Sequence, residues 1–164
     1  MADETDLIDG FLQDAEAAIA HGALSKAMAL YQGVLSLDET NLEALTQAAA
    51  ISLTQGDTRT ALFFYSVAVE HHSKSADVHH GLSAVYRELG FDDKAEISLS
   101  AALRIEPDHQ PSLFDQAVIY QKKGELHKAD ANYLKIAVKD GRRIDAIFNR
   151  GVVMFRKGNL KAAE

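Results

Sequence analysis

A chain of 164 residues with 47% hydrophobic and 25% charged residues carries enough material for one soluble domain with a buried core. It has no cysteine, which excludes disulfides and thiolate metal sites, and no stretch reaches the roughly 20 apolar residues of a membrane-spanning helix. The net charge of −7 is uneven, with 11 acidic and 2 basic side chains in residues 1–70 (−9) and 13 against 15 in residues 71–164 (+2), and an acidic total argues against phosphate-driven binding of nucleic acid.

The opening MADETDLIDG is acidic and lacks the basic segment and apolar core of a signal peptide, so a cytoplasmic location is expected. Residues 1–7 read as an acidic N-terminal segment, and from residue 8 the chain is periodic. Glycine recurs at 22, 56, 90, 124 and 158, and alanine at 27, 61, 95, 129 and 163, every step being 34. With glycine so sparse, four further glycines in register have odds of about one in a hundred thousand for a given period. The periods are 8–41, 42–75, 76–109, 110–143 and a partial 144–164.

Each period predicts two helices. In the third, Val78, Leu82, Val85, Tyr86 and Leu89 fall at helical spacing, then Ala95, Leu99, Ala102, Leu103 and Ile105. Gly90 ends the first helix, where a left-handed residue without Cβ costs least, and Asp92 is expected to cap the second. Pro107 falls after a helix and Pro111 in the first turn of the next, both tolerated places. Position 8 of each period is small (Ala15, Ala49, Ser83, Ala117, Gly151), position 20 is always alanine, and position 24 is Tyr31, Tyr65, Leu99 and Tyr133. Two small positions let the paired backbones approach closely, and the large one fills the gap beside them. In the last period LKAAE, residues 160–164, is expected to begin a second helix after Gly158. No polar capping face covers that end, so the natural protein is expected to continue, and the helix near 144–157 to present an apolar face that invites self-association.

The 34-residue period with these residues at positions 8, 15, 20 and 24 resembles the tetratricopeptide repeat family over residues 8–164. The departures are at position 4 (Phe11, Leu45, His79, Leu113, Ile147), at position 27, which is alanine only as Ala68 and Ala102, and at position 32, where the family's proline survives only as Pro107. The resemblance implies an all-α, right-handed superhelical solenoid of tandem helix-turn-helix repeats. It also implies a concave wall built from the first helices.

Four histidines in VEHHSKSADVHH raise the question of a metal. His71 and His79 are expected to pack at helix junctions, His72 to sit by a helix C-terminus and His80 to face the groove, which leaves too few converging ligands. The E-x-x-H spacing of EPDH, Glu106 to His109, is broken by Pro107. Asp92 and Asp93, and the pairs Lys122/Lys123 and Arg156/Lys157, are accounted for by helix dipoles, and Arg142/Arg143 by a solvated turn. No nucleophile, phosphate-loop or zinc-protease motif is present, so no catalytic residue, metal or cofactor is expected.

Function is therefore expected in the concave wall. The family's concave positions are acidic in the first repeats (Asp9, Glu16, Glu43), beside Thr46. They become His80 and Arg87 in the third, Phe114, Val118 and Gln121 in the fourth, and Phe148, Val152 and Phe155 in the fifth. The residues Thr46, His80, Arg87, Phe114, Val118, Gln121, Phe148, Val152 and Phe155 form the expected groove, with the three phenylalanines as anchors. The family's clamp for a C-terminal carboxylate is missing, since position 5 is never lysine and position 9 never asparagine, and position 6 gives one asparagine, Asn149, where an asparagine ladder needs several. The main expectation is a non-catalytic scaffold that holds a partner's peptide or helix. The alternative is the substrate-recruiting arm of a larger enzyme, such as a glycosyltransferase, methyltransferase or sulfotransferase. An RNA-binding relative is disfavoured by the acidic total.

Overall fold

The computed structural model describes residues 3–140 and 144–163, with the backbone alone for 159–163. Among the described residues there are nine helices and no strand. The helices are α1 (Glu4–Ala20), α2 (Leu24–Leu37), α3 (Leu42–Thr54), α4 (Thr58–His71), α5 (Ala76–Glu88), α6 (Asp92–Ile105), α7 (Gln110–Lys122), α8 (Leu126–Lys139) and α9 (Ile144–Ala163). Each packs on its successor, and α3 also meets α5, so first helices line up side by side along the stack. The architecture is an all-α solenoid of helical hairpins.

The hairpin turns follow from the periodic glycines. Gly22, Gly56, Gly90 and Gly124 all have φ between 71° and 78°, the region that a Cβ disfavours. In the first turn Ala23 N–H reaches back to the Ala18 carbonyl at 2.8 Å, and Asp57, Phe91 and Glu125 make the same bond to Ser52, Tyr86 and Tyr120. This wraps the open carbonyls of each first helix before the chain reverses. Between repeats, Asn41 and Ser75 cap α3 and α5 by accepting from the Ala44 and Val78 amides. Asp92 is not the cap expected for it. Phe91 holds that place, and Asp92 is the first residue of α6, its carboxylate 3.8 Å from the Lys122 ammonium.

The small and large positions pack as their size dictates. Ala15, Ala49, Ser83 and Ala117 are buried, as are Ala27, Ala61, Ala95 and Ala129 opposite them. Tyr31, Tyr65, Leu99 and Tyr133 are buried beside them. Leu99 contributes about 1.5–3 kcal/mol by leaving water.

Two expectations at the ends change. Residues 4–7 of the acidic opening belong to α1, whose first turn is held by the Asp3 amide donating to Asp6 Oδ2 at 3.3 Å. At the other end α9 runs through Gly158 to Ala163 with no turn. Continuing a helix adds one hydrogen bond per residue, whereas five residues folded back would fix a turn without a buried face to compensate. The side chain of Ala163 and the Arg142/Arg143 pair lie outside the described residues.

The basic pairs do more than complement dipoles. Lys123 Nζ sits 2.7 Å from both Asp93 and Glu96 of the preceding repeat, which raises its pKa. Thirty-four residues on, Lys157 reaches Asp130 at 3.1 Å, and Arg150 joins the same carboxylate at 2.8 Å. Position 14 of one repeat thus ties to position 21 of the repeat before it. At the first two inter-repeat junctions those places hold Met28 with Gln55 and Leu62 with Leu89.

Candidate functional site

The first helices α3, α5 and α7 carry the polar part of the expected groove. Thr46, on α3, returns its hydroxyl to the Leu42 carbonyl at 2.9 Å, which leaves its methyl to line the wall. One turn of stack further, Thr46 and His80 border a common cavity of about 320 Å³ between α3 and α5, floored by Ala50, Tyr65 and Gly81. His80 Nε2 donates to Asp115 Oδ2 at 3.1 Å, and Arg87 Nη1 reaches the same oxygen at 2.8 Å. One carboxylate on α7 therefore fixes two α5 side chains. Burial pushes the Asp115 carboxyl up, but the His80 hydrogen bond and the Arg87 charge outweigh it and hold it below the usual range.

Asp115 was absent from the groove read from the sequence. Its signal was a spacing of 35, from position 5 of one repeat to position 6 of the next, which puts an imidazole and a carboxylate on adjacent first helices.

The apolar part is built around Tyr133. Phe114 is half-buried with its ring edge-on to Tyr133, the centroids 5.7 Å apart, and Tyr133 Oη donates to Gln121 Oε1 at 3.4 Å. Burial, reinforced by the negative charges of Asp115 and Asp145, pushes the Tyr133 hydroxyl up to about 12, so it remains a donor at neutral pH. Val118 and Val152 are half-buried. Phe148 and Phe155 are 69% and 70% exposed on α9, which also exposes Ile144 and Met154. The structure thus groups Thr46 with His80, His80 with Arg87, and Phe114 with Gln121, while Phe148, Val152 and Phe155 share α9.

The histidine doublets resolve into separate roles. His72 Nε2 donates to the Thr40 carbonyl at 2.6 Å, tying one inter-repeat connection to the next, and His79 Nε2 donates to Ser73 O at 3.0 Å. His71 is exposed, not packed at a junction as expected, and is the last residue of α4. Among the described residues no three histidine or acidic side chains converge as a metal would need. His109, of the EPDH stretch, is buried at the start of α7, where Nε2 meets Asp77 Oδ1 at 2.9 Å and Nδ1 meets Ser112 Oγ at 2.8 Å. Its ring lies edge-on to His80, 5.6 Å between centroids, and so supports the groove from behind. No helix among the described residues is long and apolar enough to cross a membrane.

A row of helical hairpins, each stacked on the next, defines the class of α-helical repeat solenoids. No family model and no curated protein matches the sequence. Among solved structures, PilF of Pseudomonas aeruginosa superposes with a TM-score of 0.85 at 14% identity, over 95% of this chain and 71% of PilF. MamA gives 0.79 at 19% identity, over 94% of this chain and 84% of MamA. YrrB, described as a TPR protein with an unusual peptide-binding site, gives 0.71 at 21% identity, over 91% of this chain and 77% of YrrB. The fold is that of the tetratricopeptide repeat proteins.

Proposed function

We propose that this chain is a non-catalytic scaffold whose inner wall holds an extended peptide or a helix of a partner protein. The observation that carries the reading is the continuity from Thr46 to Asp115: two expected groove residues from successive repeats border one cavity, and a third repeat is joined to them through His80. The peptide-binding site ascribed to YrrB, on the same fold, supports it. On this reading His80, Arg87 and Asp115 form a rigid polar patch that sets the register of a bound segment. Phe114, Val118 and Gln121 on α7, with Phe148, Val152 and Phe155 on α9, receive its apolar side chains. The first helices of the acidic half, with Asp9, Glu16 and Glu43, favour a ligand whose other end is basic.

A pull-down from native lysate with the full chain tests this. Two variants are run beside it, His80→Ala/Arg87→Ala and Phe114→Ala/Phe148→Ala/Phe155→Ala, each checked for helicity by circular dichroism. Proteins held by the parent and released by both folded variants are the expected outcome. An unchanged set of captured proteins overturns the groove.

A further inference from the structure

The opposite layer of the stack carries a second apolar cavity, of about 380 Å³, between the second helices α2 and α4. Leu35, Leu45 and Phe64 form its floor. Phe63 stands at its wall, 62% exposed and edge-on to Phe64 with the ring centroids 5.5 Å apart. Glu39, Glu70 and the His71 imidazole border it; both glutamates are exposed, and neither has an ion-pair partner among the described residues.

The repeat supplies its own control. The residues at Phe63's place in the other repeats are Ala29, Ile97 and Ala131, so the solenoid does not need an aromatic ring there. One repeat further on, Phe64 becomes Ser98, Glu39 becomes Ser73 and Glu70 becomes Arg104. The same geometry there is less apolar and has one charge reversed. Both the aromatic lining and the acidic rim therefore belong to the first inter-repeat junction alone, within a half of the chain whose net charge is −9, from 11 acidic and 2 basic residues.

We propose that this outer cavity is a second docking site, separate from the inner wall, for a short protein segment bearing one bulky apolar side chain flanked by lysine or arginine. The apolar side chain fills the space beside Phe63 and Phe64, and the flanking cations meet Glu39 and Glu70. Aromatic rings that become buried in a well-packed apolar pocket carry a large share of interface energy. Unpaired carboxylates at the rim favour cationic partners and speed their encounter.

The test is to pan a phage-displayed library of random 12-residue peptides against the full chain. The enriched peptides are then measured by fluorescence anisotropy against four proteins: the parent, Phe63→Ala, Glu39→Lys/Glu70→Lys and His80→Ala/Arg87→Ala. Phe63 is mostly exposed, so Phe63→Ala is expected to melt like the parent. The expected result is a set of peptides pairing an aromatic or large aliphatic residue with lysine or arginine. Their affinity should fall about tenfold or more with either of the first two variants, weaken with added salt and be indifferent to the third. Peptides that respond only to His80→Ala/Arg87→Ala support the inner wall and overturn the outer site. So does a library that yields no Phe63-dependent binder. Sedimentation showing dimers of the parent that Phe63→Ala abolishes reassigns the cavity to a second copy and overturns the proposal equally.

Discussion

A Cβ placed on Gly81 falls 2.2 Å from Cε1 of Tyr65, inside the ring's own volume. Gly81 lies within α5 and Tyr65 within α4, so the glycine is there to let a tyrosine pass, not to bend a backbone. Elsewhere a glycine inside a helix costs about 1 kcal/mol against alanine. At Gly81 that gain is offset, because the mostly buried Tyr65 ring must shift from its packed place to admit a Cβ. Gly81→Ala is expected to lower stability by roughly 1–3 kcal/mol. Gly10→Ala, whose Cβ meets nothing within 4 Å, should instead raise it by about 0.5–1 kcal/mol. Denaturant midpoints of both variants check this. A double variant that also carries Tyr65→Leu should lose less than the two single changes added together.

Three polar side chains, of which Gln116 and Asn132 are buried, join α6, α7 and α8. Gln116 Nε2 donates to Ser100 Oγ at 3.1 Å, and Gln116 Oε1 accepts from Asn132 Nδ2 at 2.9 Å. Removing the middle member alone leaves a buried amide without its acceptor. Gln116→Leu should therefore cost roughly 1–3 kcal/mol, and Gln116→Leu/Asn132→Leu should recover much of it because no donor is then stranded. Equilibrium unfolding of the two variants decides it. Equal losses would show that water satisfies Asn132.

Asp115 gives stability a direction with pH. Its folded carboxyl is held below the ordinary value of about 3.9, so the folded state binds the proton less readily than the unfolded state does. The resulting stabilisation is fully present above the unfolded value and is lost as pH falls through the folded one. Asp115→Asn should be less stable than the parent at pH 6–7 by roughly 1.5–3 kcal/mol, the scale of a hydrogen bond to a charged group. The gap should narrow below about pH 4. Unfolding curves for both proteins between pH 7 and 3 are the measurement, and a constant gap would sink the assignment.

What the sequence disclosed and withheld follows from range. The hairpins were legible because each rests on local chemistry: a left-handed glycine, a small pair and a large plug, repeated every 34 residues. The contacts of His72, His109 and Asp115 were missed because their partners, Thr40, Asp77 and His80, lie 32, 32 and 35 residues away. Those separations are close to one repeat, so a search across adjacent repeats for carboxylates facing hydrogen-bond donors would have found the Asp115 pair. It would also have found Glu96 with Lys123 and Asp130 with Lys157. The outer cavity left no such trace. It needs Leu35, Leu45 and Phe64 from three helices, each of which reads as ordinary core by itself.

The three phenylalanines expected as anchors differ in what their removal does to the scaffold. Phe148 and Phe155 are 69% and 70% exposed, so replacing either by alanine should change stability by less than about 0.5 kcal/mol. Phe114 is half-buried and packs its edge on Tyr133, so Phe114→Ala should cost roughly 1–3 kcal/mol. If all three grip a partner, each replacement should weaken binding by about 2 kcal/mol, some thirtyfold. Affinity and denaturant midpoint measured on the same preparations separate the two effects. For Phe148 and Phe155 a loss of binding at unchanged stability marks a contact with the partner. For Phe114, a loss of binding that Tyr133→Phe reproduces without a fall in midpoint would place the effect in the polar edge of the groove. Retained affinity in the folded Phe114→Ala protein would remove that ring from the site.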